Sequence, residues 1–252
     1  MKACAFCSKP GKLTGEHLWS DWATKIFGHR RYFFRQKDAK GSVVRRWQSD
    51  SPNMKARVVC HTCNSGWMGD LENQHAKPVM AGMIRNPTPI SLQPKETAAI
   101  AAFAFKTAVI TDAMHQRPIS FFDPFVRYDF AATLQIPVGV HIWIGAHESL
   151  GGSVRTDYFP VKDSALKGFE FYCLTYVFGH LIIQLEACRW ADAGNAPFPP
   201  PLVRQDDIWN DAMLPIWPPH NLVTWPPKQH LNHKGIETLR YRLRTLEFGI
   251  PL

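Results

Sequence analysis

Two Cys-x-x-Cys knuckles, Cys4-Ala-Phe-Cys7 and Cys60-His-Thr-Cys63, constrain this chain more than any other feature. Two thiolates separated by two residues can reach one ion from a single tight turn, and a pair of such turns supplies the four ligands of tetrahedral zinc. The knuckles must then meet in space, so the segment between them is closed into a loop. That segment is longer than in a compact zinc ribbon and has room for chemistry of its own. Glu16-His17 lies inside it, and Asn64 directly follows the second knuckle.

The bulk properties bound the class. With 252 residues, 45% hydrophobic and 20% charged, the chain can form one large domain, or a small module plus a medium one, around a real core. Its longest apolar run, Ala98 to Ile110, is interrupted by Lys106, so no membrane span is expected. The start, Met-Lys-Ala-Cys-Ala-Phe-Cys, lacks the apolar core of a signal peptide. Retained thiols without a secretion signal point to a cytoplasmic protein whose cysteines bind metal. Cys173 and Cys188, in an apolar strand-like region, read as buried packing residues.

Charge is concentrated at one end. The formal net charge is +8, and residues 1–60 carry thirteen Lys or Arg against Glu16, Asp21, Asp38 and Asp50, a net of +9. Such a patch favours a polyanionic partner and makes its binding salt-dependent, although a solvated basic face has the same composition.

The chain divides near Arg85-Asn-Pro-Thr-Pro89 into residues 1–87 and 88–252. In the first part, Val43–Trp47 and Arg57–Val59 are β-prone runs flanking a polar loop, Gln48 to Asn53. From Asn64 the pattern is helical: Trp67, Met68, Leu71, His75 and Val79 recur at three- and four-residue steps, with Pro78 near the end or at a kink. A hairpin followed by a helix, tied by a metal, is expected. The second part reads as mixed α+β. It holds a helix from Pro94 to about His115, a β-branched stretch at Ile136–Ile144, and two strands within Phe169–Glu186 joined at Phe178-Gly179-His180. A loop at Pro197–Pro201, a Trp217-Pro-Pro/Trp225-Pro-Pro near-repeat and a final helix from about Asn232 to Leu246 follow.

The order Cys4/Cys7, Glu16-His17, Cys60/Cys63-Asn64 resembles the His-Me finger (HNH) endonucleases, closest to the phage endonuclease VII type, over about the first 80 residues. The stretch Cys63-Asn-Ser-Gly-Trp-Met-Gly-Asp-Leu-Glu72 also resembles a group of uncharacterised bacterial HNH-like proteins. The resemblance implies a zinc-stapled ββα-metal module of treble-clef type, followed here by an α+β domain that selects the target or partner. It implies metal-dependent hydrolysis of phosphodiester bonds, in DNA, leaving 5′-phosphate and 3′-hydroxyl ends. The cysteines would hold structural Zn2+, His17 would be the general base, and Glu16 and Asn64 would bind one Mg2+ or Mn2+. The chain departs from the family in having Glu16 where Asp is usual, and no proline shortly after His17.

Other side chains take two readings each. Asn64 would also suit a helix cap. Glu72 and His75 lie two and three helical turns beyond it, as an added ligand, a phosphate contact or solvated residues. Arg30, Arg31, Arg35, Arg45 and Arg46 suit bidentate phosphate contacts, and Tyr32, Phe33, Phe34 and Trp47 between them suit base stacking or core packing. His61 reads as exposed, and His141, His180 and His220 form no site-like spacing. A non-catalytic zinc-binding module for nucleic acid keeps every feature except an active Glu16-His17-Asn64 trio. A third reading is an interaction protein using the apolar, proline-rich C-terminal third. A single nicking site would require a homodimer to cut both strands.

Overall fold

The computed structural model describes residues 2–18, 20–27, 31–37, 43–50, 54–114, 120–160, 169–190, 211–219 and 222–237. Arg30, His220, the Pro197–Pro201 loop, residues 51–53 of the polar loop and the expected final helix beyond residue 237 lie outside them; residues 233–237 are helical. The fold is α+β.

Strand β1 (Leu13–His17) pairs antiparallel with β4 (Lys55–Cys60), setting Leu13 opposite Cys60 and His17 opposite Lys55, with a register shift between Thr14 and Glu16. Between them come α1 (Asp21–Phe27) and two strands, β2 (Tyr32–Lys37) and β3 (Val43–Ser49), that among the described residues pair only with each other. The hairpin expected from the two β-prone runs is therefore not formed. Strand β4 carries buried Ala56 and Val59 and must deliver Cys60 to the first knuckle, so it pairs with the strand beside that knuckle. Strand β3 carries no cysteine to deliver and pairs with β2 instead.

A helical run, kinked at Gly66 (φ −91°, ψ −119°), follows β4: α2 (His61–Cys63), π-helical turns at Asn64–Met68 and Leu71–Ala76, and α3 (Lys77–Arg85). Its buried face is Met68, Leu71, Ala76, Val79, Met80, Met83 and Ile84, whereas His75 is exposed. A π turn adds one residue per turn, so the position after Leu71 that faces inward is Ala76 and not His75. Pro78 does not end the helix. It sits in the first turn of α3, where a missing N–H is tolerated.

The short β5 (Ile90–Leu92) leads into α4 (Pro94–Met114), which is buried at every position from Ile100 to Asp112. By length and composition α4 could cross a membrane, but 78% of its apolar window is buried inside the fold. A helix that is apolar all round belongs in a core. After α5 (Pro124–Thr133), the long antiparallel pair β6 (Val140–Pro160) and β7 (Phe169–Trp190) forms a sheet with β8 (Met213–Trp217) and β10 (His230–Leu231). Strand β9 (Val223–Trp225) pairs with β5. Both Trp-Pro bonds of the near-repeat are cis, and Trp225 is fully buried with its Nε1 donating to the Gly145 carbonyl at 3.1 Å. Cys173 and Cys188 are buried free thiols in β7, as expected.

The two strands expected within Phe169–Glu186 are one. Gly179 does not turn the chain back; with φ of 64° it kinks β7 opposite the register shift between Ala146 and Gly151. A Cβ at this position would collide with the backbone carbonyl of Ile84 in α3, so glycine is required twice over. One contiguous core runs from Cys4 to Trp225 and crosses the expected division at residue 87 without a break. Gly179→Ala is expected to destabilise the protein by about 2–3 kcal/mol, read as a lowered midpoint in chemical denaturation with an unchanged slope.

Candidate functional site

The four knuckle cysteines come together. Cys4, Cys7, Cys60 and Cys63 are free thiols whose sulfurs all lie within 4.8 Å of one another, and Cys7 Sγ and Cys60 Sγ are 3.7 Å apart. A tetrahedron with Zn–S bonds of about 2.3 Å has an edge of about 3.8 Å, so the cluster has the size of a zinc site. Its protonation fits as well. Burial opposes ionising Cys4, but backbone N–H groups of Cys7, Cys60 and Phe6 outweigh it and bring this thiol down to about 7. Burial, reinforced by the charge on Cys4, pushes Cys63 up, and burial raises Cys7. The cluster favours one thiolate unaided and needs a cation to hold more. Packing fixes its position: Phe6, fully buried within the first knuckle, meets Trp67 edge-on at 5.0 Å, and both rings contact Phe130 of α5.

Beside this centre, β1, α1 and the helical run enclose a cleft of about 400 Å³. Glu16 and His17 come from β1, Asp21, Trp22 and Lys25 from α1, and Asn64, Glu72 and Lys77 from the helical run. The three residues singled out at the sequence level thus line one cavity. Asn64 does not cap its helix; its side-chain amide donates to Thr14 Oγ1 at 3.0 Å and to the Gly15 carbonyl at 3.4 Å. Thr14 in turn donates to the Val59 carbonyl at 3.2 Å, so this chain of bonds ties the helix start to both strands. The bonds occupy the amide nitrogen of Asn64 and leave its oxygen to accept a hydrogen bond or bind a cation.

His17 is half-buried, and its Nε2 is enclosed without a hydrogen-bond partner. Desolvation and the nearby Lys55 charge lower its pKa below the usual 6.5 despite the opposing fields of Asp21, Glu16 and Glu72. The imidazole is therefore neutral at pH 7. Two more enclosed polar atoms, Ser20 Oγ and Trp22 Nε1, find no partner among the described residues. Such atoms are unusual in folded proteins, and His17 and Trp22 both line the cleft.

Glu16 is only 4% exposed and bonds to Lys106 of α4, with Oε1 2.7 Å from Nζ; Lys106 also pairs with Glu72. Desolvation alone would lower the pKa of Lys106, which is 1% exposed, but the Glu72 and Glu16 carboxylates outweigh it and raise it to about 12. One ammonium thus serves two carboxylates. Lys106, Lys25 and Lys77 were not among the site residues read from sequence. The signal for Lys106 was present, since a lone lysine inside an apolar helical run must find acid partners in the core. Lys25 and Lys77 carried no such signal.

Among the sequence-selected arginines, Arg31, Arg45 and Arg46 are exposed and Arg35 lies in β2, opposite Arg46; none lines the cleft. His61 is exposed with its Nδ1 3.2 Å from Ser65 Oγ, and His141 and His180 sit on the β6–β7 sheet.

Two outcomes are expected. The purified protein should contain one zinc per chain by elemental analysis, and Cys63→Ser should lose the metal and melt at a lower temperature. Lys106→Met leaves two buried carboxylates without a counter-charge and should cost about 3–5 kcal/mol of unfolding free energy, part of it recovered by adding Glu16→Gln and Glu72→Gln. No protein-family model, curated protein or solved structure matches this chain.

Proposed function

We propose that the protein is a metal-dependent endonuclease of the HNH (His-Me finger) type, hydrolysing phosphodiester bonds in DNA. The observation that carries this reading is the convergence of Glu16, His17 and Asn64 on one cleft beside the four-cysteine cluster. The antiparallel β1–β4 pair with the helical run after β4, and the four cysteines gathered beside it, support the reading as a ββα-metal module with zinc of treble-clef type.

The cleft's donor set suits a hard divalent ion. Glu16 and Glu72 bring two negative charges against the one of Lys106, and Asn64 offers its amide oxygen. Glu16 and Asn64 would hold Mg2+ or Mn2+, which when bound stabilises negative charge growing on the phosphoryl and leaving oxygens. His17 accepts a proton from water, a step open to it because the ring is neutral at working pH. Lys25 and Lys77 at the cleft rim supply the positive charge that draws a phosphate in. Structural zinc would act through the fold, holding Asn64 against β1.

One observation favours the non-catalytic zinc module instead: an oxygen of Glu16 is already committed to Lys106. Nicking of supercoiled plasmid separates the two. Wild type should nick with Mg2+ or Mn2+ and not with excess EDTA, and His17→Ala, folded and zinc-loaded, should lose at least about a hundredfold in rate. Salt-sensitive DNA binding with no nicking by wild type would instead establish the binding module.

A further inference from the structure

Strands β2 and β3 form a two-stranded ribbon that pairs with no other strand among the described residues. It leaves the fold beside the cleft, where Tyr32 OH donates to the Phe27 carbonyl at 3.1 Å, at the end of the helix that contributes Asp21, Trp22 and Lys25 to the cavity wall. From Arg46 to Ser49 exposure alternates along β3, with Arg46 and Gln48 exposed and Trp47 and Ser49 half-buried; Arg45, on the Trp47 side, is exposed as well. The register places Phe33 opposite Gln48 and Arg35 opposite Arg46. Directly opposed residues share one face of a ribbon. The outward face is therefore built on Phe33, Gln48, Arg46 and the Arg35 position, and Phe33 is 70% exposed.

Neither the phenyl ring nor the opposed arginines are explained by folding. Like charges directly opposite one another destabilise a strand pair, and an anion between or beside them removes the penalty. The ring is a large apolar surface left in water. Together they match what the edge of a base pair offers. Arginine suits the acceptors of guanine, glutamine suits the paired donor and acceptor of adenine, and an apolar ring suits the methyl of thymine. Single-stranded nucleic acid is the poorer fit, because it stacks successive bases on several open rings, and here the Arg45 guanidinium covers Trp47 at 5.3 Å from its ring centroid, leaving Phe33 as the one open ring among the described side chains of the ribbon. The major groove of B-DNA admits a two-stranded ribbon, whereas that of duplex RNA is too narrow.

We propose that the β2–β3 ribbon enters the major groove of duplex DNA beside the cleft, with Arg46, Gln48 and Phe33 facing base edges and Arg31 and Arg45 facing phosphates. The inference rests on nucleic acid being the substrate of that cleft, and names its form. The test is fluorescence anisotropy on full-length, zinc-loaded protein carrying His17→Ala. The probes are a short DNA duplex, the same sequence as duplex RNA, and one of its DNA strands, each across a range of salt.

Tightest binding to duplex DNA is expected. Arg31→Ala with Arg45→Ala should weaken it about tenfold or more and reduce the salt slope by about one per arginine, with zinc content and melting temperature unchanged. Phe33→Ala with Gln48→Ala should narrow the gap between duplex DNA and duplex RNA and leave the salt slope alone. Equal or tighter binding to the single strand, equal binding to duplex RNA, no binding to any probe, or indifference to the arginine pair would each overturn the inference. Parallel cleavage of the DNA duplex by protein with His17 intact keeps the two readings apart. Cutting that ignores the ribbon substitutions leaves the nuclease and removes the ribbon's role. Ribbon-dependent duplex binding without cutting does the reverse.

Discussion

A charge that cannot leave the core organises this protein. Lys106 lies at the centre of a helix whose every neighbour is buried, and an ammonium there is tolerable only if carboxylates reach it. Glu16 comes to it from β1 and Glu72 from the helical run, so two elements far apart in sequence are pinned to α4 at one point. Their positions follow from that. Glu16 fixes its neighbour His17 at the cleft wall, and Glu72 fixes the helix on which Asn64 stands eight residues earlier.

The cysteine cluster sets the other end of the cavity. Cys60 and Cys63 stand at the junction of β4 and the helix, and Cys4 and Cys7 beside β1, so closing the cluster closes the β1–β4 pair. The helical run is thus held at Asn64 by the knuckles and at Glu72 by Lys106, with π-helical turns between. A π turn is rare because it widens the helix and weakens its packing, and such turns concentrate at functional sites. Here the run also kinks at Gly66, between two fixed ends: the cysteine end sets where Asn64 faces, and Lys106 sets where Glu72 faces.

What the sequence shows about this arrangement depends on whether the governing rule is local. Cys-x-x-Cys is a local rule, and the cluster, the start of α4 at Pro94 and the buried thiols of β7 all follow from local pattern. Strand β1 does not. Leu-Thr-Gly-Glu-His has no alternation of polarity, and its extended form comes from pairing with β4, a partner beyond the reach of any window. His75 stands where a 3.6-residue period puts a buried position, and the π turn moved that position to Ala76, a shift that no periodicity contains. Phe178-Gly179-His180 has the composition of a turn, but Gly179 is needed because Ile84 presses on it from another element. Lys106 was visible as an anomaly, while the identity of its partners was not.

The second part of the chain, which pattern reading treated as a separate domain, is part of the site's support. Tyr176 of β7 is fully buried and donates to the Leu18 carbonyl at 2.7 Å, one residue beyond His17. Phe178 packs against Trp22 and Phe27 of α1 at 5.7 Å each, behind the wall that carries Asp21 and Lys25. With Lys106, these contacts hold β1 and α1 from the side opposite the cavity. A catalytic or binding constellation must be held by side chains that are themselves locked in place, and a short strand with Gly15 at its centre could not hold Glu16 and His17 alone. The first 87 residues therefore contribute the groups that face the cleft, and residues 88–252 contribute the rigidity that keeps them facing it. An excised N-terminal segment would keep its cysteines and lose the counter-charge of Glu16, so its acid would be the first group displaced.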